Sequence, residues 1–128
     1  MKRTRLFLTV AILFALLAVG TVAAQSNWRV GDHALINWTG DGYWYPGTIV
    51  AIEGSEYYVV YDDGDREWVG SDRIRQDDLL VGTPVSANWL GGGIYYPGVI
   101  AERTGNAIVI HYDDGDVEAT TIAAVRVR

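Results

Sequence analysis

Tyr58-Val59-Val60-Tyr61-Asp62-Asp63-Gly64-Asp65 returns 51 residues later as Val109-Ile110-His111-Tyr112-Asp113-Asp114-Gly115-Asp116. Each copy reads as a β-strand of alternating pattern running into an acidic turn whose glycine takes the left-handed position of a hairpin. Working outward, Tyr45-Pro46-Gly47 matches Tyr96-Pro97-Gly98, and Asn37-Trp38 matches Asn88-Trp89. The whole stretch from Val30 to Asp77 recurs as Val81 to Arg128 without an insertion. Two copies of one unit of about 50 residues, close to the smallest size that folds alone, therefore fill most of the chain.

Neither copy carries a helical period, whereas runs of period-two alternation recur between Gly and Asp clusters, so the chain is all-β. In the first copy strands are expected at Ala34 to Trp38, Tyr43 to Ile52, Glu56 to Tyr61, Arg66 to Val69 and Ile74-Arg75, with a tight turn at Ser71-Asp72-Arg73. In the second they are expected at Val85 to Trp89, Tyr95 to Thr104, Ala107 to Tyr112, Val117 to Thr121 and Val125 to Arg128. Alternation puts Ala34, Ile36 and Trp38 on one face, and likewise Tyr57, Val59 and Tyr61. Five short strands cannot bury an apolar face as an open sheet, so each set is expected to curl into a five-stranded barrel. The expected organisation is residues 1–24 as a leader, 28–76 as the first barrel, 77–80 as a short linker and 81–128 as the second barrel. Gln76 to Leu80 is too short for a flexible tether, which implies barrels packed side by side over Leu79 and Leu80.

The leader reading comes from Lys2, Arg3 and Arg5 ahead of an apolar run from Leu6 through Val19, followed by Gly20-Thr21-Val22-Ala23-Ala24. This is the pattern of a secretory signal peptide, with cleavage expected before Gln25. The run falls short of the roughly 20 residues of a transmembrane helix; an uncleaved anchor is the alternative, and the only membrane contact expected. The protein is thus expected to be secreted or periplasmic. The whole chain has a formal charge of -6. Without the leader no lysine is left, and seven Arg against sixteen Asp and Glu give -9. Such a surface repels phosphate backbones, so no nucleic-acid partner is expected, and a cationic or neutral ligand is favoured. Cysteine is absent, which removes disulfides, thiolate metal sites and a lipid-modified cysteine anchor.

The spacing in each copy places a Trp at the end of the first strand, a Tyr at the start of the second, a Tyr at the end of the third and an Asp just beyond, all at one mouth of the barrel. These residues are Trp38, Tyr45, Tyr61 and Asp63, and in the second copy Trp89, Tyr96, Tyr112 and Asp114. Three ring faces around a gap attract a poorly hydrated quaternary or methylated ammonium, each contributing roughly 0.5 to 2 kcal/mol. A carboxylate beside them adds a charge-assisted hydrogen bond when the ligand nitrogen keeps a proton, favouring partly methylated lysine or a methylated guanidinium.

At Ala34-Leu35-Ile36-Asn37-Trp38, at Gly42-Tyr43-Trp44-Tyr45-Pro46-Gly47-Thr48-Ile49, at Tyr58 to Gly64 and at the same blocks of the second copy, the chain resembles the Tudor family, within the wider group of Tudor, agenet and related SH3-like barrels. The resemblance implies a tandem pair of SH3-like barrels that is not an enzyme and needs no cofactor. It implies that the eight residues named above form two aromatic cages for methylated lysine or arginine. Many members carry another aromatic two residues after the Asp, where this chain has Asp65 and Asp116, so the cage is expected to be open there. An exported protein does not meet nuclear marks; the implied partners are a methylated or Arg-bearing peptide or protein, or a small quaternary amine such as choline or betaine. The first copy is the better expected site, because Tyr43, Trp44 and Trp68 add aromatics around it.

Other readings of the same residues stand beside this one. Trp38, Trp89, Tyr61 and Tyr112 also suit barrel cores, and Pro46 and Pro97 suit an edge or bulge. The alternatives are then a structural or protein-interaction barrel pair without a small-ligand site, or an envelope glycan-binding module that stacks sugars on Trp and Tyr. Three carboxylates within the acidic turn attract a hard cation, but their spacing is not that of an EF-hand loop, and a solvated turn is the simpler reading. His33 and His111 occupy different repeat positions and have no ligand neighbours at metal spacing, so no metal site is expected. No nucleophilic Ser motif and no His common to both copies supports catalysis.

Overall fold

The acidic turns close as hairpins. Tyr61 donates its amide to the Asp65 carbonyl at 2.7 Å, Gly64 donates to Tyr61 at 2.9 Å, and Tyr112 to Asp116 and Gly115 to Tyr112 repeat the pair at 2.8 and 3.0 Å. Gly64 and Gly115 take φ of 103° and 99°, the left-handed region where a side chain is strained. The computed structural model describes residues 27–128, and the expected leader, with its cleavage site, lies outside them. No helix among the described residues is long and apolar enough to cross a membrane.

The strands run β1 (His33–Asn37), β2 (Trp44–Glu53), β3 (Glu56–Tyr61), β4 (Arg66–Gly70) and β5 (Ile74–Gln76), then β6 (Pro84–Asn88), β7 (Tyr95–Thr104), β8 (Ala107–Tyr112), β9 (Val117–Thr121) and β10 (Val125–Arg126). They form two antiparallel five-stranded sheets, ordered β4-β3-β2-β1-β5 and β10-β6-β7-β8-β9. Each is an SH3-like barrel. The long strand bends where its register to the next slips, between Ile49 and Ala51 and again between Ile100 and Glu102. One extra residue there increases the twist and lets one strand serve both halves of a barrel.

Trp38 and Trp89 fall outside the strands expected to end on them: each begins a single 3-10 turn, Trp38–Gly40 and Trp89–Gly91. The last strand stops at Arg126 rather than Arg128, because Val127 leaves the second sheet to pair with Trp44 of the first. Trp44 donates to the Val127 carbonyl at 2.7 Å and Val127 donates back at 3.0 Å.

Alternation places Tyr57, Val59 and Tyr61 inside the first barrel as expected, with Ile108, Ile110 and Tyr112 inside the second. In β1 the alternation breaks, since Ala34, Leu35 and Ile36 are all fully buried. Ala34 and Ile36 enter their own barrel's core with Ile49, Val59, Val69 and Ile74. Leu35 points the other way, into the core of the second barrel with Leu79, Ile100 and Ile110, and Trp44 packs against the same cluster. Burying Leu35 and Leu79 contributes roughly 1.5 to 3 kcal/mol each, so the barrels share an apolar seam. Leu80, expected beside Leu79, is instead 65% exposed.

A polar seam reinforces the apolar one. His33 bonds Asp62 through Nε2 and Asp77 through Nδ1, both at 2.9 Å. Arg103 of β7 grips the two Asp77 oxygens at 3.1 and 3.0 Å and the Leu79 carbonyl at 2.7 Å. The linker residue Asp77 is thereby tied to both barrels.

Candidate functional site

The residues expected to meet at the barrel mouths do meet there. Trp38, Tyr45, Tyr61, Asp63 and Asp65 line a hollow of ≈ 160 Å³ together with Tyr95 and Arg126. Trp89, Tyr96, Tyr112, Asp114 and Asp116 line a second of ≈ 190 Å³. The rings stand as walls: Trp38 and Tyr45 are 6.2 Å apart between centroids at 80°, and Tyr45 and Tyr61 6.3 Å apart at 89°. Trp89 and Tyr112 meet at 5.3 Å and 87°. A cation between two such rings lies within the roughly 6 Å over which a ring quadrupole attracts it.

Local structure explains the placement. Trp38 and Trp89 are carried out of the strand by a backbone turn whose next residue has positive φ, 43° at Thr39 and 52° at Leu90. A side chain in that region costs about 1 to 3 kcal/mol, and such strain gathers at functional sites. Gly47 and Gly98 bring the tyrosine strand against the next one, since a Cβ on Gly47 would stand 2.8 Å from Ile36 Cδ1 and 3.2 Å from Tyr61 Cα. Gly98 is equally tight, with the His111 carbonyl at 2.8 Å. Pro46 and Pro97 sit one residue before pairing with β3 and β8 begins at Gly47 and Gly98, an edge position that suits a residue without an amide hydrogen.

Glu67 and Glu118, which no sequence motif marks, brace a lining residue of each hollow. Tyr61 donates its hydroxyl to Glu67 at 2.7 Å, and Tyr112 donates to Glu118 at 2.6 Å. The same carboxylates accept the amides of the strained Thr39 and Leu90 at 3.1 Å. One side chain thus fixes a lining tyrosine and the turn presenting the lining tryptophan. The signal was available, because the two glutamates stand 51 residues apart, each six after its tyrosine. Burial, then the bond to a carboxylate, pushes both phenols far above their ordinary range, so they remain neutral donors.

The carboxylates of the acidic turns point to different partners. Asp62 turns toward His33, while Asp63 and Asp114 accept the amides of Asp65 and Asp116 at 3.1 and 3.0 Å. No group of three or more metal-ligating side chains converges among the described residues.

The further aromatics expected around the first cage stand elsewhere. Tyr43 stacks on Arg126 and Arg128, with ring centroids 3.9 and 4.1 Å from the guanidinium carbons. Trp44 stacks on Arg75 at 4.5 Å while packing on the second barrel. Trp68 faces Tyr58 at 5.0 Å on the outer face of the sheet. Their places are set by contacts between barrels and between strands, and none of the three lines the first hollow.

Residues 39–77 match the model of the Agenet domain, which spans the first barrel from the turn after Trp38 to the linker. Among solved structures the chain is similar to the ADCP1 tandem Agenet domain 3-4, at 16% identity over 77% of this chain and 79% of that one, with a TM-score of 0.37. It is also similar to the Crb2 tandem tudor domains, at 18% identity over 87% of this chain and 83% of that one, with a TM-score of 0.49. No curated protein matches the sequence.

Proposed function

We propose that this tandem Tudor/agenet-like chain is a non-catalytic binding module whose hollows take a cationic, methylated lysine or arginine type of group carried by a protein or peptide. The observation that carries the reading is the coincidence, in both barrels, of a Trp, two Tyr and a carboxylate pair around open space at equivalent repeat positions. Ring faces supply the attraction for a methylated cation. Asp63 or Asp114 supplies a hydrogen-bond acceptor for a nitrogen that still bears a proton, which favours the partly methylated forms. The acidic surface concentrates such cations near the mouths.

The test is a titration of the isotope-labelled two-barrel protein with mono-, di- and trimethyl-lysine, dimethylarginine, choline and short glycans, followed at the indole N–H signals. Methylated cations are expected to move the Trp38 or Trp89 signal, with dimethyl-lysine ahead of trimethyl-lysine. Silence of both indoles at millimolar cation ends the reading, and a response to glycans alone transfers the site to sugars.

Export is part of the proposal, resting on the basic and apolar N-terminal sequence. N-terminal sequencing of the protein recovered from outside the cytoplasm is expected to begin at Gln25, and recovery of the whole chain in the cytoplasm would remove this part.

A further inference from the structure

Arg126 is the repeat partner of Arg75, 51 positions earlier, yet the two guanidinium groups have different neighbours. Arg75 lies over the single ring of Trp44. Arg126 lies between Tyr43 and Tyr95, 3.9 Å from each ring centroid, and donates Nη1 to the Tyr45 hydroxyl at 3.2 Å. It reaches the first barrel because β10 runs into the Trp44–Val127 bridge across the junction. The result is a fixed positive charge on the wall of the first hollow, against two of the four rings that line it, Tyr45 and Tyr95. The second hollow has the same kinds of ring and carboxylate and no cation in its lining.

We propose that Arg126 sets the preference between the two hollows: the second is the principal site for a methylated ammonium or guanidinium, and the first is weakened for the same group by repulsion from Arg126. This inference rests on the cage reading above. The guanidinium cannot step aside cheaply, because leaving the sandwich breaks two ring contacts and the bond to Tyr45. No ion pair of Arg126 with a carboxylate occurs among the described residues, and its Nε is buried without a hydrogen-bond partner. Asp41 accepts from the Tyr45 hydroxyl at 3.1 Å but does not line the hollow. Asp63 and Asp65 share their hollow with Arg126, whereas no cation stands in the lining beside Asp114 and Asp116. Repulsion between two like charges sharing the partly wet mouth of a barrel amounts to about a three- to tenfold difference in affinity.

The experiment uses the two-barrel protein with tetramethylammonium and dimethyl-lysine as probes, reading Trp38 and Trp89 separately. In the native protein Trp89 is expected to half-saturate at a concentration about three- to tenfold below Trp38, and added salt is expected to narrow that gap. Arg126→Gln should tighten the Trp38 site by a similar factor and leave the Trp89 site where it was. Trp38 responding first or together with Trp89, a gap indifferent to salt, or an unchanged gap in folded Arg126→Gln overturns the inference while leaving the cages standing. Should that variant not fold, the order of saturation and its salt dependence in the native protein decide alone. If neither indole responds, the cage reading and this inference fall together.

Discussion

The carboxylate of Glu118 joins the hydroxyl of Tyr112 at 2.6 Å while also accepting the amide of Leu90. It thus ties together two walls of the second hollow, Tyr112 and the turn that carries Trp89. Replacing it by Ala leaves a buried phenol and a strained amide without their acceptor, which costs roughly 1 to 3 kcal/mol of stability. Glu118→Ala is expected to lower the unfolding midpoint in urea and to weaken dimethyl-lysine binding at Trp89 about tenfold in the fraction that remains folded. Glu118→Gln, which still offers an acceptor, is expected to recover most of both. Full affinity in Glu118→Ala would remove the positioning role.

Leu90 is 71% exposed and held at φ 52°, so its side chain contributes little packing against a real backbone cost. Leu90→Gly is expected to raise stability by about 1 kcal/mol, the released strain exceeding the extra chain entropy of glycine. Chemical denaturation of the two proteins side by side measures it. A loss of stability would mean that the isobutyl group makes contacts of greater worth than its exposure suggests.

Trp89→Ala and Trp68→Ala separate a cage ring from an exposed ring of another kind. Trp68 stacks on Tyr58 away from either hollow. The first substitution is expected to abolish the methyl-cation response of the second site and the second to leave it unchanged, as seen by calorimetric titration.

His33 lies between Asp62 and Asp77, and the bond to Asp62, then the pull of Asp77, holds its pKa above the ordinary 6.5 against the opposing effect of burial. A raised folded pKa means that the junction gains stability fully below pH 6.5 and loses it as pH climbs through the folded value. Asp77 behaves in the opposite sense: burial pushes it up, but the bonds from Arg103 and from the Leu79 amide bring it below the ordinary 3.8. Its contribution is present above that value and lost in stronger acid. Urea midpoints are therefore expected to fall from pH 6 to pH 9 in the native protein and to fall much less in His33→Asn. Equal slopes would show that His33 carries no share of the dependence.

Much of this architecture was legible because the repeat reports each feature twice. The strands Glu56–Tyr61, Tyr95–Thr104, Ala107–Tyr112 and Val117–Thr121 were readable residue for residue from alternation and turn chemistry. The convergence of Trp38, Tyr45, Tyr61 and Asp63 followed from strand ends that a barrel gathers at one mouth. Side-by-side packing over Leu79 was readable from the short linker, but most other contacts between the barrels were not. Leu35 breaks the alternation because both of its strand's faces are covered, Trp44 and Tyr43 serve the junction, and Leu80 remains in solvent. Period-two reasoning reports how a strand meets its own sheet and has no access to a second body on the other face. Arg126 is the clearest instance, since its sequence neighbours say nothing of Tyr43.

Leu35 belongs by chain to one unit and by packing to the other. Leu35→Ala is accordingly expected to destabilise both by about 2 to 5 kcal/mol, with the Trp38 and Trp89 regions unfolding in one transition. Separate melting of the two regions would contradict a shared core.

The backbone handshake of Trp44 with Val127 has a practical corollary for anyone dissecting this molecule. A cut at the linker would not release two finished halves: one fragment would show solvent a leucine and half an indole, and the other would lack the side chains that close its interior. The two halves are thus expected not to survive separation, and the work of each is best assigned through single-residue changes in the intact whole.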